Sequence, residues 1–99
     1  MSESAISHSI CQYLISNGFM VERIQSGTLR VGKRYVHCAG EGTPDLWTSM
    51  FGGCFIEVKA PTGRLSPAQK IWHDRARAHG VRVIVVRNVE EIKALWLTR

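Results

Sequence analysis

Two short apolar runs, Leu46 to Met50 and Cys54 to Lys59, are separated by little more than the pair Gly52-Gly53. Strand-forming segments that flank a glycine turn are expected to fold back as an antiparallel hairpin. That hairpin would bring Asp45, at the start of the first run, beside the end of the second. Along Phe55-Ile56-Glu57-Val58-Lys59 successive side chains leave opposite faces, and residues two apart stand ~6.8 Å apart on one face. Glu57 and Lys59 thus project the same way, while Ile56 and Val58 are expected to enter the core. A structural explanation exists: Asp45 caps a turn after Pro44, and Glu57 and Lys59 form a surface pair contributing ~0–1 kcal/mol. It suffices for Glu57-Val58-Lys59 alone. With Pro44-Asp45 on the matching strand, a site explains more.

The chemistry of such a site follows from its donors. Two carboxylates and a backbone carbonyl suit a hard divalent cation such as Mg²⁺, which keeps waters and completes its shell with substrate phosphate. The ion can polarise a phosphate and acidify a bound water. Lys59 would add a point charge that orients water or stabilises developing negative charge.

The 99 residues allow one compact domain, and a second copy as partner would suit so small a core. A net charge of +5 and a pI near 9.6 favour a polyanionic partner, nucleic acid first and a membrane surface second. Cys11, Cys38 and Cys54 are odd in number and widely spaced, which argues against a disulfide framework or zinc knuckle and for reduced thiols in the cytoplasm. The first residues carry Glu3, His8 and Gln12 and read as no signal peptide. No apolar run approaches the ~20 residues of a membrane span.

Ile6, Ile10 and Leu14 predict a helix from Ser4 to about Asn17, stopped by Gly18. Glu3 lies one helical step before Ile6, where it can either complement the helix dipole or point toward a site. Phe19 to Val31 reads as a strand with a turn at Ser26-Gly27, or as a hairpin, and Lys33 to His37 as a short partner strand. Cys38 to Pro44 reads as a loop. Ser66, Pro67 and Gln69 form an N-cap, an N1 proline and a capping-box residue for a helix running to about His79. Val81 to Arg87 is a buried strand by its apolar continuity, and Asn88 caps a last helix with Glu91 at N3.

Gly42-Thr43-Pro44-Asp45-Leu46, Ile56-Glu57-Val58-Lys59 and Gly63-Arg64-Leu65-Ser66-Pro67-Ala68-Gln69, in this order, resemble the motifs of the PD-(D/E)XK nucleases, and more closely those of the virus-type replication-repair nuclease (VRR-Nuc) domain. The resemblance implies an α/β fold over residues 1–99 as a single domain. Its core would be restriction-endonuclease-like, a mixed central sheet flanked by helices in an order of about αβββαβα. It implies Asp45 and Glu57 as metal-binding acids, the Val58 carbonyl as a further ligand and Glu3 as an acid reaching the metal or its waters. Lys59 would be the catalytic lysine and Gln69 a supporting glutamine, although a capping-box role also accounts for Gln69. Stand-alone members look like phage and bacterial proteins that act as dimers on branched DNA.

The expectation is therefore an endonuclease dependent on Mg²⁺ or Mn²⁺, acting on branched DNA such as a Holliday junction. It would be a homodimer without membrane attachment, in the cytoplasm or, if phage-encoded, the host cytoplasm. Phosphate contacts carry no sequence information, and a chain this short has little room for a base-reading module. Arg64 and Lys70 are the expected nucleic-acid contacts. Gln25 receives no role, and His37 is a minor candidate beside Asp45. His8, His73 and His79 show no metal-ligand spacing, and Arg75 and Arg77 read as a solvated face. Trp47, Trp72 and Trp96 read as core or dimer-interface residues. The alternatives are a non-catalytic nucleic-acid-binding module with a nuclease-like fold and a protein-interaction subunit.

Overall fold

The computed structural model describes residues 2–24 and 27–97. Helix α1 (Glu3–Ser16) opens the chain, and the Ser2 hydroxyl caps it by accepting from the Ala5 N–H at 3.2 Å. Its buried stripe is Ile6, Ile10 and Leu14, one residue per turn. Five strands follow: β1 (Val21–Arg23), β2 (Gly27–Val31), β3 (Arg34–Ala39), β4 (Leu46–Thr48) and β5 (Cys54–Val58). Helix α2 (Pro67–Ala78), strand β6 (Val83–Val86) and helix α3 (Val89–Leu97) complete the chain.

The main sheet has the order β1-β4-β5-β6. β4 and β5 form the expected antiparallel hairpin, with Leu46 opposite Ile56 and Thr48 opposite Cys54. β5 and β6 run parallel, which requires a crossover, and α2 supplies it. Ile56, Val58 and Val86 lie in one apolar cluster with Ile6, Ile10, Leu14 and Ile92 of α1 and α3. The alternate residues of β5 face α2 instead: Phe55 packs edge-on against Trp72 at 5.1 Å, and Glu57 meets His73. Helices on both faces explain why β5 and β6 read as nearly unbroken apolar runs. α1, β1, β4, β5, α2, β6 and α3 give the expected αβββαβα order.

The middle of the chain departs from the expectation in part. The partner strand after Lys33 forms as β3 and pairs with β2, but the two arms of Phe19 to Val31 do not pair with each other: β1 joins the main sheet, while β2 and β3 make a separate two-stranded sheet. That hairpin turns at Gly32-Lys33, where Gly32 supplies a φ of +62°. The Ser26 turn and Gln25 lie outside the described residues, as do the side chains of His37 and Cys38. β4 stops at Thr48 rather than Met50. The Thr48 hydroxyl donates to the Met20 carbonyl and accepts from the Met50 N–H, and a 3₁₀ turn follows over Met50–Gly52. Trp96 packs on Phe19 and Phe51, as a core role requires. Cys11 and Cys54 are free thiols, and burial pushes Cys54 up to about 11.

Candidate active site

The site is assembled where β4 begins and β5 ends. Gly42 sets the approach. Its φ is +87°, and a Cβ there would lie 2.3 Å from the Ala68 carbonyl oxygen and 2.6 Å from its carbon. Only glycine lets this loop rest on the first turn of α2. The Thr43 hydroxyl donates to the Gly40 carbonyl at 2.6 Å, and Pro44 is buried. Asp45 then follows with its backbone carbonyl accepting from Ile24 N–H at 2.9 Å. Its Oδ2 accepts from the Val58 N–H, also at 2.9 Å. This carboxylate-to-amide bond ties the start of β4 to the end of β5.

Glu57 sits behind Asp45, with only 1% of the residue exposed. Its Oε1 lies 3.1 Å from His73 Nε2. Burial, then the hydrogen-bonded and negatively charged Asp45 carboxyl, push Glu57 up to about 8, while Lys59 opposes the rise and Glu3 adds to it. His73 is as buried as its partner. Burial and the Arg77 charge lower its pKa. Its Nδ1 has no hydrogen-bond partner among the described residues. When Glu57 is ionised, Nε2–H donates to it and Nδ1 is a bare acceptor.

Lys59 stands one residue beyond β5. Its Nζ lies 3.9 Å from Glu3 Oε1, with the lysine side chain 13% exposed and the glutamate 52%. The first turn of α1 thus both complements the helix dipole and reaches the site. The loop after Lys59 is held from below: one guanidinium nitrogen of Arg87 donates to the Ala60 carbonyl at 2.7 Å and to the Gly63 carbonyl at 2.6 Å. The capping box forms at the end of this loop. Ser66 Oγ accepts from the Gln69 N–H at 3.1 Å, and Gln69 Oε1 accepts from the Ser66 N–H at 2.8 Å. A cleft of about 530 Å³ opens from Glu3 and Asp45 along α1, with Ser7, His8, Cys11 and Arg23 on its walls.

Residues 11–90 match the family model of the VRR-NUC domain. The chain belongs to the VRR-NUC family. Over 60 residues it is 48% identical to Fanconi-associated nuclease 1 of Danio rerio. That stretch is 58% of this chain but 6% of the relative, so the chain spans a small part of the relative's length. A solved structure described as a VRR_NUC domain superposes with a TM-score of 0.69 at 22% identity, over 96% of this chain and 95% of its own. At that identity the likeness concerns the fold.

In this VRR-NUC chain Asp45, Glu57, Lys59 and Glu3 come together at one end of the sheet, and Val58 lies among them with its N–H on Asp45. Arg64 and Lys70 are exposed, the first in the loop after Lys59 and the second in the first turn of α2. Gln69 is half-buried and engaged in the capping box. Three residues at or near the site carry no role in the sequence reading: His73, Arg23 and Arg87. Only His73 left a usable signal, since Gln69, Trp72, His73 and Ala76 recur at helical spacing and mark the inward stripe of α2.

The donor set fits a divalent cation. Two carboxyl groups side by side, one of them buried and with its pKa raised by that burial and by its neighbour, are hard oxygen donors. Among the described residues no three His, Cys, Asp or Glu side chains are grouped to hold an ion. The remaining ligands would have to be main-chain, water or substrate oxygens, as is common for Mg²⁺.

Proposed function

We propose that this VRR-NUC chain, read over 1–99 as a single domain, is a metal-dependent endonuclease that hydrolyses DNA phosphodiester bonds. The reading is carried by one observation: Asp45 and the buried Glu57 are drawn together at neighbouring strand ends, with the Lys59 ammonium beside them. Asp45 and Glu57 would hold Mg²⁺ or Mn²⁺, with the Val58 carbonyl and Glu3 as further oxygen sources. When bound, the ion supplies Lewis-acid polarisation of the scissile phosphate and a more acidic water. Lys59 orients the attacking water and offsets charge on the phosphate, and Gln69 secures the helix end beside it. The Glu3–Asp45 cleft receives the strand, and Arg23 offers it a cation. Arg64 and Lys70 contact phosphates farther out. These contacts read shape rather than bases, so we expect selectivity for branched or junction DNA. Two copies, one site on each strand, would form the working homodimer in the cytoplasm of the cell or of a phage host.

The test is incubation with four-way junction, flap, duplex and single-stranded DNA, with and without Mg²⁺ or Mn²⁺, beside Asp45→Asn. The reading expects metal-dependent cleavage, strongest on branched DNA, that Asp45→Asn abolishes while DNA is still retained. A wild type that retains DNA in a salt-dependent way but cleaves no form with either metal would instead be a non-catalytic binding module.

A further inference from the structure

We infer that His73 is a positioning residue for the Glu57 carboxylate: its buried Nε2 occupies Oε1 and so fixes the other oxygen for a cation shared with Asp45. The inference rests on the metal-dependent reading above. A glutamate's terminal torsion is soft, so a buried carboxylate without a partner can turn away from its neighbour. Here the imidazole lies at 1% exposure with Nε2 3.1 Å from Oε1. Three contacts fix where the ring stands. Trp72, its neighbour on α2, packs on Phe55 of the same strand face. The capping box holds the helix start one turn earlier. The Gly42 loop rests on Ala68.

Packing alone does not explain a histidine at this place. An apolar side chain of similar volume would fill the inward stripe of α2 without burying an imidazole whose Nδ1 has no partner among the described residues. Among the described residues, the Glu57 bond is the one hydrogen bond of the ring that can offset that burial. Hydrogen-bond partners of ligating groups typically change metal affinity or activity 10–100-fold when removed.

The experiment compares wild type, His73→Leu and His73→Gln as full chains, with Mn²⁺ as the probe and no DNA present. Free Mn²⁺ is read by its electron paramagnetic resonance signal, and folding is checked by circular dichroism. His73→Leu is expected to bind Mn²⁺ about 10–100-fold more weakly. In cleavage, the half-saturating Mn²⁺ concentration should rise by the same factor, with the rate at saturating Mn²⁺ changed less than about threefold. His73→Gln, whose amide can donate at similar reach, should recover most of the affinity. If His73→Leu does not fold, His73→Met fills the space without a donor and takes its place. Two results overturn the inference alone: an apolar variant that binds Mn²⁺ as tightly as wild type, or a folded His73→Gln as weak as the apolar variant. A wild type that takes up no Mn²⁺ overturns the metal reading as well.

Discussion

Glu57→Gln should stabilise the metal-free protein, by an amount that grows with pH. In the folded chain Glu57 is pushed up to about 8 from an ordinary 4.5, by burial and then by Asp45. A folded value above the unfolded one means that the group's stability contribution is complete below pH 4.5 and is lost as pH rises through about 8. Fully developed, that gap amounts to ~5 kcal/mol. Glutamine keeps the shape, can still accept from His73, and never ionises. His73 complicates only the acid side, because its lowered pKa leaves it neutral in both states above its ordinary 6.5. From pH 6.5 to 8.5 the wild type should therefore lose on the order of 2 kcal/mol relative to the variant. For a domain of this size that is a widening gap of about 8–16 °C in melting temperature. The assay is a pair of thermal melts in EDTA at half-unit pH steps. Saturating Mn²⁺ should reverse the order, because a bound cation needs Glu57 ionised and stabilises only the state that holds it. Parallel wild-type and variant curves in EDTA across that window would refute the electrostatic account of the Asp45–Glu57 pair.

Gly42→Ala meets both a φ of +87° and the Ala68 carbonyl. It should lower stability by ~1–3 kcal/mol in urea melts and cut cleavage at least about tenfold by moving Asp45; a variant matching wild type in both would show that the loop does not need this approach. Arg87→Ala releases the Ala60 and Gly63 carbonyls. It should lower stability by ~2–4 kcal/mol and open residues 60–66 to limited proteolysis, and an unchanged digestion pattern would count against the clamp. Arg23→Ala, made in an Asp45→Asn background so that DNA survives, should weaken binding to every sequence alike and reduce the salt slope by about 1. An unchanged slope would place the strand outside the Glu3–Asp45 cleft.

What the sequence made legible was local or nearly so. The β4–β5 hairpin, its glycine turn and the acids at its open end lie within 15 residues, and the Ser66–Gln69 capping box within four. Ile6, Ile10 and Leu14 announced α1 by spacing alone. The misreadings share a cause: they depend on where a segment goes after it leaves its neighbours. Phe19 to Val31 reads as strand on both sides of Ser26-Gly27, and nothing local reveals that β1 joins the main sheet while β2 pairs with β3 in a separate one. His73 shows no metal-ligand spacing in the sequence because its partner is a carboxylate 16 residues away across a crossover. Arg87 likewise reaches back 24 and 27 residues to backbone oxygens, which have no side-chain signature.

These long-range contacts also explain why so small a domain can keep a site that opposes its own folding. The raised pKa of Glu57 comes first from its burial and then from the hydrogen-bonded Asp45 carboxyl beside it, so ionising it in the metal-free chain works against folding. The fold keeps the two carboxyls together by ties that do not involve the cation. Val58 N–H fixes Asp45, His73 fixes Glu57, and the Ala68 backbone receives Gly42. Arg87 holds the loop that follows Lys59. Each tie joins one site segment to a different element, so the acids cannot relax apart without disturbing α2, β5 or the β6–α3 connection. In the metal-dependent reading proposed above, a cation between the acids would take the place of the Glu57 proton. On that reading the ties above would hold the carboxyls in place before the cation and the scissile phosphate arrive, so that little rearrangement would be needed.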